Sequence, residues 1–175
     1  MRDSDVLDNN PQISRSALEA IHDQVFGWAL SRCDYNRSVA EDLVQQAYVE
    51  LLTGRARFEG HSTLKTFVFG VVQNLSRSRY RRLATRLRLI SQAGQEVSAT
   101  VEDKPADDHA SLWQAVQGLP QRQRDVIELV FCRDMTIEQA CVVMGVTTGT
   151  GRQHYDRAKK ALRQKLGEEA RHDIG

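Results

Sequence analysis

Proline stands at positions 11, 105 and 120 and nowhere else in the 175 residues, and long alternating runs of β-branched residues are missing. A chain with so few breakers and no period-two pattern for a sheet is expected to fold as an all-α protein. In "SRSALEAIHDQVFGWALSRC", Leu18, Ile21, Val25, Trp28 and Ala29 recur at helical spacing, with Ser14 or Ser16 as the N-cap. "SVAEDLVQQAYVELLTG" reads as a second helix, with Ser38 as N-cap, Glu41 as the reciprocal acid of a capping box and Gly54 at the stop. Its apolar face is Val39, Leu43, Ala47 and Leu51, which leaves Glu41, Asp42 and Gln45 towards solvent or a partner. A third helix is expected from about residue 62 to about 89, entered by the turn "RARFEGHS". Leu64, Phe67, Val71 and Leu75 would form its buried stripe, with Thr66, Gly70, Gln73, Asn74, Arg77 and Arg81 on the other face.

The pattern then stops. "SQAGQEVSATVEDKPADDH" is polar, net acidic and aperiodic, so residues 91–108 are expected to be a flexible linker between a domain at 1–90 and a domain at 109–175. Helical patterning resumes with Leu112, Val116 and Leu119, and continues after Pro120 with Val126, Ile127, Val130 and Phe131. "TIEQACVVMGVTTGTGRQHYDRAKKALRQKL" follows as helix, short turn at Gly145, helix, which is a helix-turn-helix pattern. Cys141 is small enough to let the two helices approach, Gly145 can take the left-handed conformation of a tight turn, and Thr147 or Thr148 caps the second helix. Along that helix Gly151, Tyr155, Ala158, Leu162 and Leu166 point inward, and Arg152, Gln153, Asp156, Arg157 and Lys160 point outward. Guanidiniums, an amide and a carboxylate on one outward face suit phosphate, guanine, adenine and cytosine in a major groove.

Charge adds a second signal. Lys and Arg number 24 against 23 acids, yet "NLSRSRYRRLATRLR" from Asn74 to Arg88 holds six arginines and no acid. Alone, such a run is as well explained by a solvated helix face. Beside exposed polar residues, an acidic linker and a helix-turn-helix, it implies two DNA contacts at a distance. Cys33, Cys132 and Cys141 form no C-x-x-C pair and read as small core residues, and the five histidines have no ligand spacing. No metal or cofactor is therefore expected. Phosphate-binding, dinucleotide-binding and nucleophile-elbow glycine motifs are absent, so the chain is not expected to be an enzyme. With no apolar run of membrane-spanning length and no signal-peptide pattern in "MRDSDVLDNNPQIS", the expected location is the cytoplasm, without membrane insertion.

"AEDLVQQAYVELL", the pattern F-x-G-x-S-x-x-x-T-F-x-F-x-V-x-x-N from Phe58 to Asn74, and "LPQRQRDVIEL" with the helix-turn-helix after it resemble the extracytoplasmic-function sigma factors of bacterial RNA polymerase. The resemblance runs from about residue 17 to about 167 and implies a sigma-2-like helical bundle, a threading linker and a sigma-4-like helix-turn-helix domain. It also implies a protein that binds core RNA polymerase and directs promoter-specific initiation, the polymerase itself performing the chemistry. By position, Glu41, Asp42 and Gln45 fall on the patch that meets a basic coiled coil of the largest polymerase subunit, and the polymerase flap is a further implied contact. Asn74 matches the −10-contacting asparagine, with Arg77 and Arg81 on DNA phosphates, and the turn Arg55, Ala56, Arg57 and Phe58 matches the loop that receives a flipped base. Thr148, Arg152, Gln153, Asp156, Arg157 and Lys160 would meet the −35 element. An anti-sigma factor is an implied partner alongside promoter DNA. The alternative is a helix-turn-helix regulator acting without polymerase, which predicts a ligand cavity or a self-complementary surface in domain one. Against the family's pattern, Gly151 stands where a buried valine is usual, which predicts a helix-propensity cost of about 1 kcal/mol plus lost packing. His154 replaces a common phosphate-contacting arginine, and "EQAC" stands where "EEIA" is typical.

Overall fold

The computed structural model describes residues 6–7, 9–92 and 110–172. The chain divides into two compact units, Met1–Lys104 and Pro105–Gly175. Residues 93–108 of the expected linker 91–108 lie outside the described residues.

The first unit opens with a short hairpin that the sequence reading did not anticipate. Strand β1 (Val6–Leu7) pairs antiparallel with β2 (Asn10–Ser14), Val6 opposite Ser14 and Leu7 opposite Asn10. Asn10 precedes Pro11, which biases it to extended backbone, and Asn10 and Ile13 are both fully buried. Helix α1 (Arg15–Ser31) starts where Ser14 accepts from the Ala17 N–H and buries Leu18, Val25, Trp28 and Ala29. Helix α2 (Arg37–Leu52) is capped by Asn36, which accepts from the Val39 N–H, and not by Ser38. The helix begins one residue before Ser38, so Glu41 cannot close a capping box and pairs with Arg37 instead. Gly54 at φ +71° ends this segment, in the conformation that glycine alone adopts without strain.

Helix α3 (Leu64–Gln92) packs on both α1 and α2. Its buried residues are Thr66, Val68, Phe69, Val72, Gln73 and Ser76, while Leu64, Phe67, Val71 and Leu75 are only half-buried. The expected stripe was therefore out of phase. "FVFGVV" is apolar all round, so period alone cannot choose its inward side. Tertiary partners decide it: Phe69 stacks on Trp28 at 5.8 Å, the Trp28 indole donates to the Phe69 carbonyl at 3.2 Å, and the Ser76 hydroxyl donates to the Arg32 carbonyl. Fully burying side chains of this size contributes about 1.5–3 kcal/mol each, enough to override a one-turn ambiguity in pattern.

The second unit comprises α4 (Ala110–Gln117), α5 (Gln121–Ile127), a π-helical turn (Glu128–Cys132), α6 (Ile137–Met144) and α7 (Thr148–His172). Val116, Leu119, Ile127 and Ala158 form its core with Trp113, Tyr155 and Leu162 against them. Two expected core residues, Leu112 and Phe131, are exposed. The π turn adds a residue to the helical period and so turns Leu129 inward and Phe131 outward. It likewise exposes Cys132, while Cys33 and Cys141 are buried as expected.

Candidate nucleic-acid interface

In the first unit the segment Arg55–Phe58 follows α2 without regular structure, yet it is held at several points. The Ala56 N–H donates to the Glu50 carbonyl at 2.9 Å, and Arg55 lies 3.5 Å from the Glu50 carboxylate. Asn10 reaches across from β2: its side-chain amide donates to the carbonyls of Leu51 and Ala56, and its oxygen accepts from the Phe58 N–H at 2.9 Å. Asn9 donates to the Leu52 carbonyl at 2.7 Å. Arg55 and Arg57 are exposed, while Ala56 and Phe58 are half-buried.

The Phe58 ring tilts onto Phe67 of α3 at 5.2 Å. Phe67, Asn74 and Arg81 follow one another at seven-residue steps, about two turns each, and so share one stripe of that helix. The loop thus abuts the same helix face that carries Asn74, which is exposed, and Arg81, also exposed; Arg77 is half-buried. Tyr80 ends the packed part of α3 by donating to Asp34 at 3.1 Å. Burial first, and the Asp34 charge second, push its pKa up to about 12. From 81 to 89 every side chain is exposed, including Arg81, Arg82, Arg86 and Arg88.

On another side of this unit Glu41, Asp42 and Gln45 are all exposed on α2. Glu41 and Gln45 help line a cleft of about 350 Å³ with His22, Asp23, Phe26 and Tyr48. The Arg37–Glu41 pair at 3.0 Å is a surface i,i+4 contact worth about 0.5 kcal/mol at most, so an incoming cation can displace it cheaply.

In the second unit a full capping box starts α6, with Thr136 accepting from Gln139 N–H and the Gln139 side chain accepting from Thr136 N–H. Gly145 ends it at φ 63°, ψ 43°, and Thr147 caps α7 by accepting from the Thr150 N–H at 3.2 Å. Thr148, Arg152, Gln153, Asp156, Arg157 and Lys160 are all exposed on α7. Gly151 and Ala158 are buried, with Tyr155, Leu162 and Leu166 half-buried, as the pattern predicts.

The lost packing expected at Gly151 does not occur. A Cβ built on Gly151 would lie 2.1 Å from the Cys141 sulfur, so that sulfur occupies the space a valine would need. The two departures from the family pattern compensate each other. Arg152 donates to Glu138 of α6 at 3.1 Å. The backbone N–H of Glu138 itself, followed by the Arg152 guanidinium, holds the Glu138 carboxyl below its ordinary value.

Sequence reasoning missed Asn9 and Asn10, which bond the end of α2 and the loop after it, and Glu138, which holds Arg152. Among the described residues no cluster of potential metal ligands occurs and no helix is long and apolar enough to cross a membrane.

The family models for Sigma-70 region 2 and Sigma-70 region 4 match residues 17–86 and 109–162, in that order. The chain is 28% identical over 144 residues to the ECF RNA polymerase sigma factor EcfG of Rhodopseudomonas palustris, covering 80% of this chain and 78% of that protein. Its fold is similar to that of the sigma factor RpoE of Bartonella quintana, solved with the anti-sigma factor NepR, at a TM-score of 0.68 and 24% identity over 87% of this chain and 96% of that one. It is also similar to CnrH, solved with the cytosolic domain of CnrY, at a TM-score of 0.58 and 21% identity over 87% of each.

Proposed function

The chain belongs to the sigma-70 family of RNA polymerase sigma factors, with an extracytoplasmic-function member among its homologues, and from that premise we propose how its residues divide the work. It directs RNA polymerase to promoters. Sigma factors are not enzymes, and the reading adds no catalytic step to this chain: its residues bind, orient and hold DNA open while the polymerase joins nucleotides.

Within that function, residues 1–90 bind core polymerase and open the −10 element, 91–108 link, and 109–175 read the −35 element. The observation that carries this division is the contact of Phe58 with Phe67, which seats the loop Arg55–Phe58 against the helix stripe of Asn74 and Arg81. An unstacked base entering that loop gains contacts that offset the few kcal/mol lost on leaving the duplex. Asn74 contacts a −10 base, while Arg77 and Arg81 hold phosphates and so act on any sequence. On α7, Arg152, Gln153 and Asp156 face base edges, and Thr148, Arg157 and Lys160 face the backbone. The stand-alone regulator is not favoured, because a sigma-70 region also matches the first unit, which that reading leaves as an effector domain.

Glu41, Asp42 and Gln45 meet a basic coiled coil of the largest polymerase subunit, where complementary charge fixes register and speeds encounter. The second unit meets the flap. Both solved neighbours are complexes with other proteins, one of them named as an anti-sigma factor, which supports an anti-sigma partner here and a cytoplasmic site of action. Reversing Glu41 and Asp42 to lysine leaves the buried face of α2 untouched. The double variant is expected to stay helical by circular dichroism and to stop co-eluting with core polymerase in size-exclusion chromatography at physiological salt. Co-elution equal to wild type removes the patch from the mechanism.

A further inference from the structure

The loop that receives the flipped base has no backbone ladder of its own. Its fixed points come from elsewhere in the chain, and one residue supplies three of them. Asn10 is fully buried, and its short amide donates to the carbonyls of Leu51 and Ala56 while accepting from the N–H of Phe58. These partners bracket the loop: Leu51 is the last buried residue of α2, Ala56 the loop's middle and Phe58 the residue whose ring meets α3. Neighbours of Asn10 add to the hold. A Cβ on Gly54 would lie 3.1 Å from the Cβ of Asn9, in the turn before β2, and one on Gly60 would lie 3.1 Å from the side-chain oxygen of Gln12 in β2, so the two glycines that flank the loop press against the hairpin.

We propose that Asn10 is a positioning residue for −10 recognition, and that strand β2 is the template on which the base-receiving loop Arg55–Phe58 is set. The inference rests on the reading of that loop given above. Asn10 itself touches no DNA. It satisfies both a backbone donor and two backbone acceptors in a place water does not reach, which neither a carboxylate nor an aliphatic side chain can do. Asp at this position still accepts from Phe58 but faces two carbonyls with no proton to give, so Leu51 and Ala56 are released and the loop loses its fixed shape. Loss of preorganisation lowers affinity for the base that needs the pocket and leaves contacts made by the rest of α3 intact.

The test uses holoenzyme reconstituted with core polymerase on a promoter that wild type opens. Non-template-strand oligonucleotides spanning its −10 element are prepared intact and with a single abasic site walked through each position. Wild type is expected to show a position where base removal weakens binding about tenfold, the size of one lost base contact. Asn10→Asp is expected to bind the intact strand about tenfold more weakly and to lose sensitivity at that one position, while keeping it at the position read by Asn74. Asn10→Ser, which retains one hydrogen bond, should fall between. If wild type shows no such position, the base-receiving role of the loop fails and the inference with it. If wild type shows one and Asn10→Asp is equally sensitive there, the loop reading stands and Asn10 is merely structural. If both variants lose helicity or co-elution with polymerase, Asn10 holds the whole unit and not its loop, which also overturns the proposal.

Discussion

The two regions proposed to face DNA are built by different physics. In the second unit the outward set from Thr148 to Lys160 lies on one continuous helix, so its spacing is dictated by the helical repeat itself. In the first unit the segment Arg55–Phe58 is irregular backbone, and its shape is imposed by Asn10, more than forty residues earlier in the chain. A recognition helix is therefore a local object that tolerates change on its exposed face. The loop proposed to receive a base is a tertiary object, sensitive to substitutions in the strand whose Asn10 holds it. Regular structure suits a task of reading an intact groove, whereas a pocket for one extruded base needs concave backbone that no helix offers.

That contrast can be broken most severely at a place where α7 itself depends on a tight tertiary fit. Gly151→Val puts a side chain into the Cys141 sulfur and is expected to destabilise the second unit by about 2 kcal/mol, read as lost hydrogen-exchange protection in α6 and α7. Adding Cys141→Ala vacates that space, and the double variant is expected to recover most of the loss. If the double variant is no better than Gly151→Val alone, the two positions are not coupled and glycine is required for another reason.

Smaller effects sharpen the comparison on the exposed face. Arg157→Ala is expected to weaken −35 duplex binding about tenfold on every sequence and to lower the salt slope by about one, the signature of a phosphate contact. Arg152→Ala should cost a similar amount but relax discrimination between sequences. Smaller still, Glu138→Gln removes the carboxylate that holds Arg152 and is expected to raise binding to unrelated duplex by about twofold, within the range of one exposed ion pair. Fluorescence anisotropy across a salt series measures all three. Equal salt slopes for wild type and Arg157→Ala would remove that residue from the phosphate set.

How far the sequence could be read follows the same division. The helix-turn-helix was legible because Thr136, Gly145 and Thr147 are local signals, each acting within four residues of the backbone it caps. The exposed acids of α2 and the arginines beyond Tyr80 were legible because their side chains stay at the surface. The phase of α3 was not, since "FVFGVV" is apolar all round and only Trp28 and the flanking helices choose its inward side. Phe131 was misplaced because a π turn shifts the register without leaving a composition signal. Asn10 carried one readable hint, its position before Pro11, which predicts extended backbone but not its partners forty-odd residues away. The pairing of Cys141 with Gly151 was visible as two oddities, whose compensation only the packed helices reveal.

The central claim is that the first unit opens the promoter through the α3 stripe while the second only delivers it there. Permanganate reactivity of unpaired thymines near the start site tests this on duplex promoter and on the same promoter melted beforehand at −10. Replacing Asn74, Arg77 and Arg81 together with alanine keeps the helix, alanine being the better helix former, and is expected to leave core binding unchanged. The triple variant should show little reactivity on duplex promoter, and supplying the melted template should bypass that opening step. Arg152→Ala with Arg157→Ala should instead reduce promoter capture, with near-normal opening once the complex is driven by excess holoenzyme. Wild-type permanganate reactivity in the triple variant on duplex promoter would contradict the account and return the arginine run to an ordinary solvated helix face.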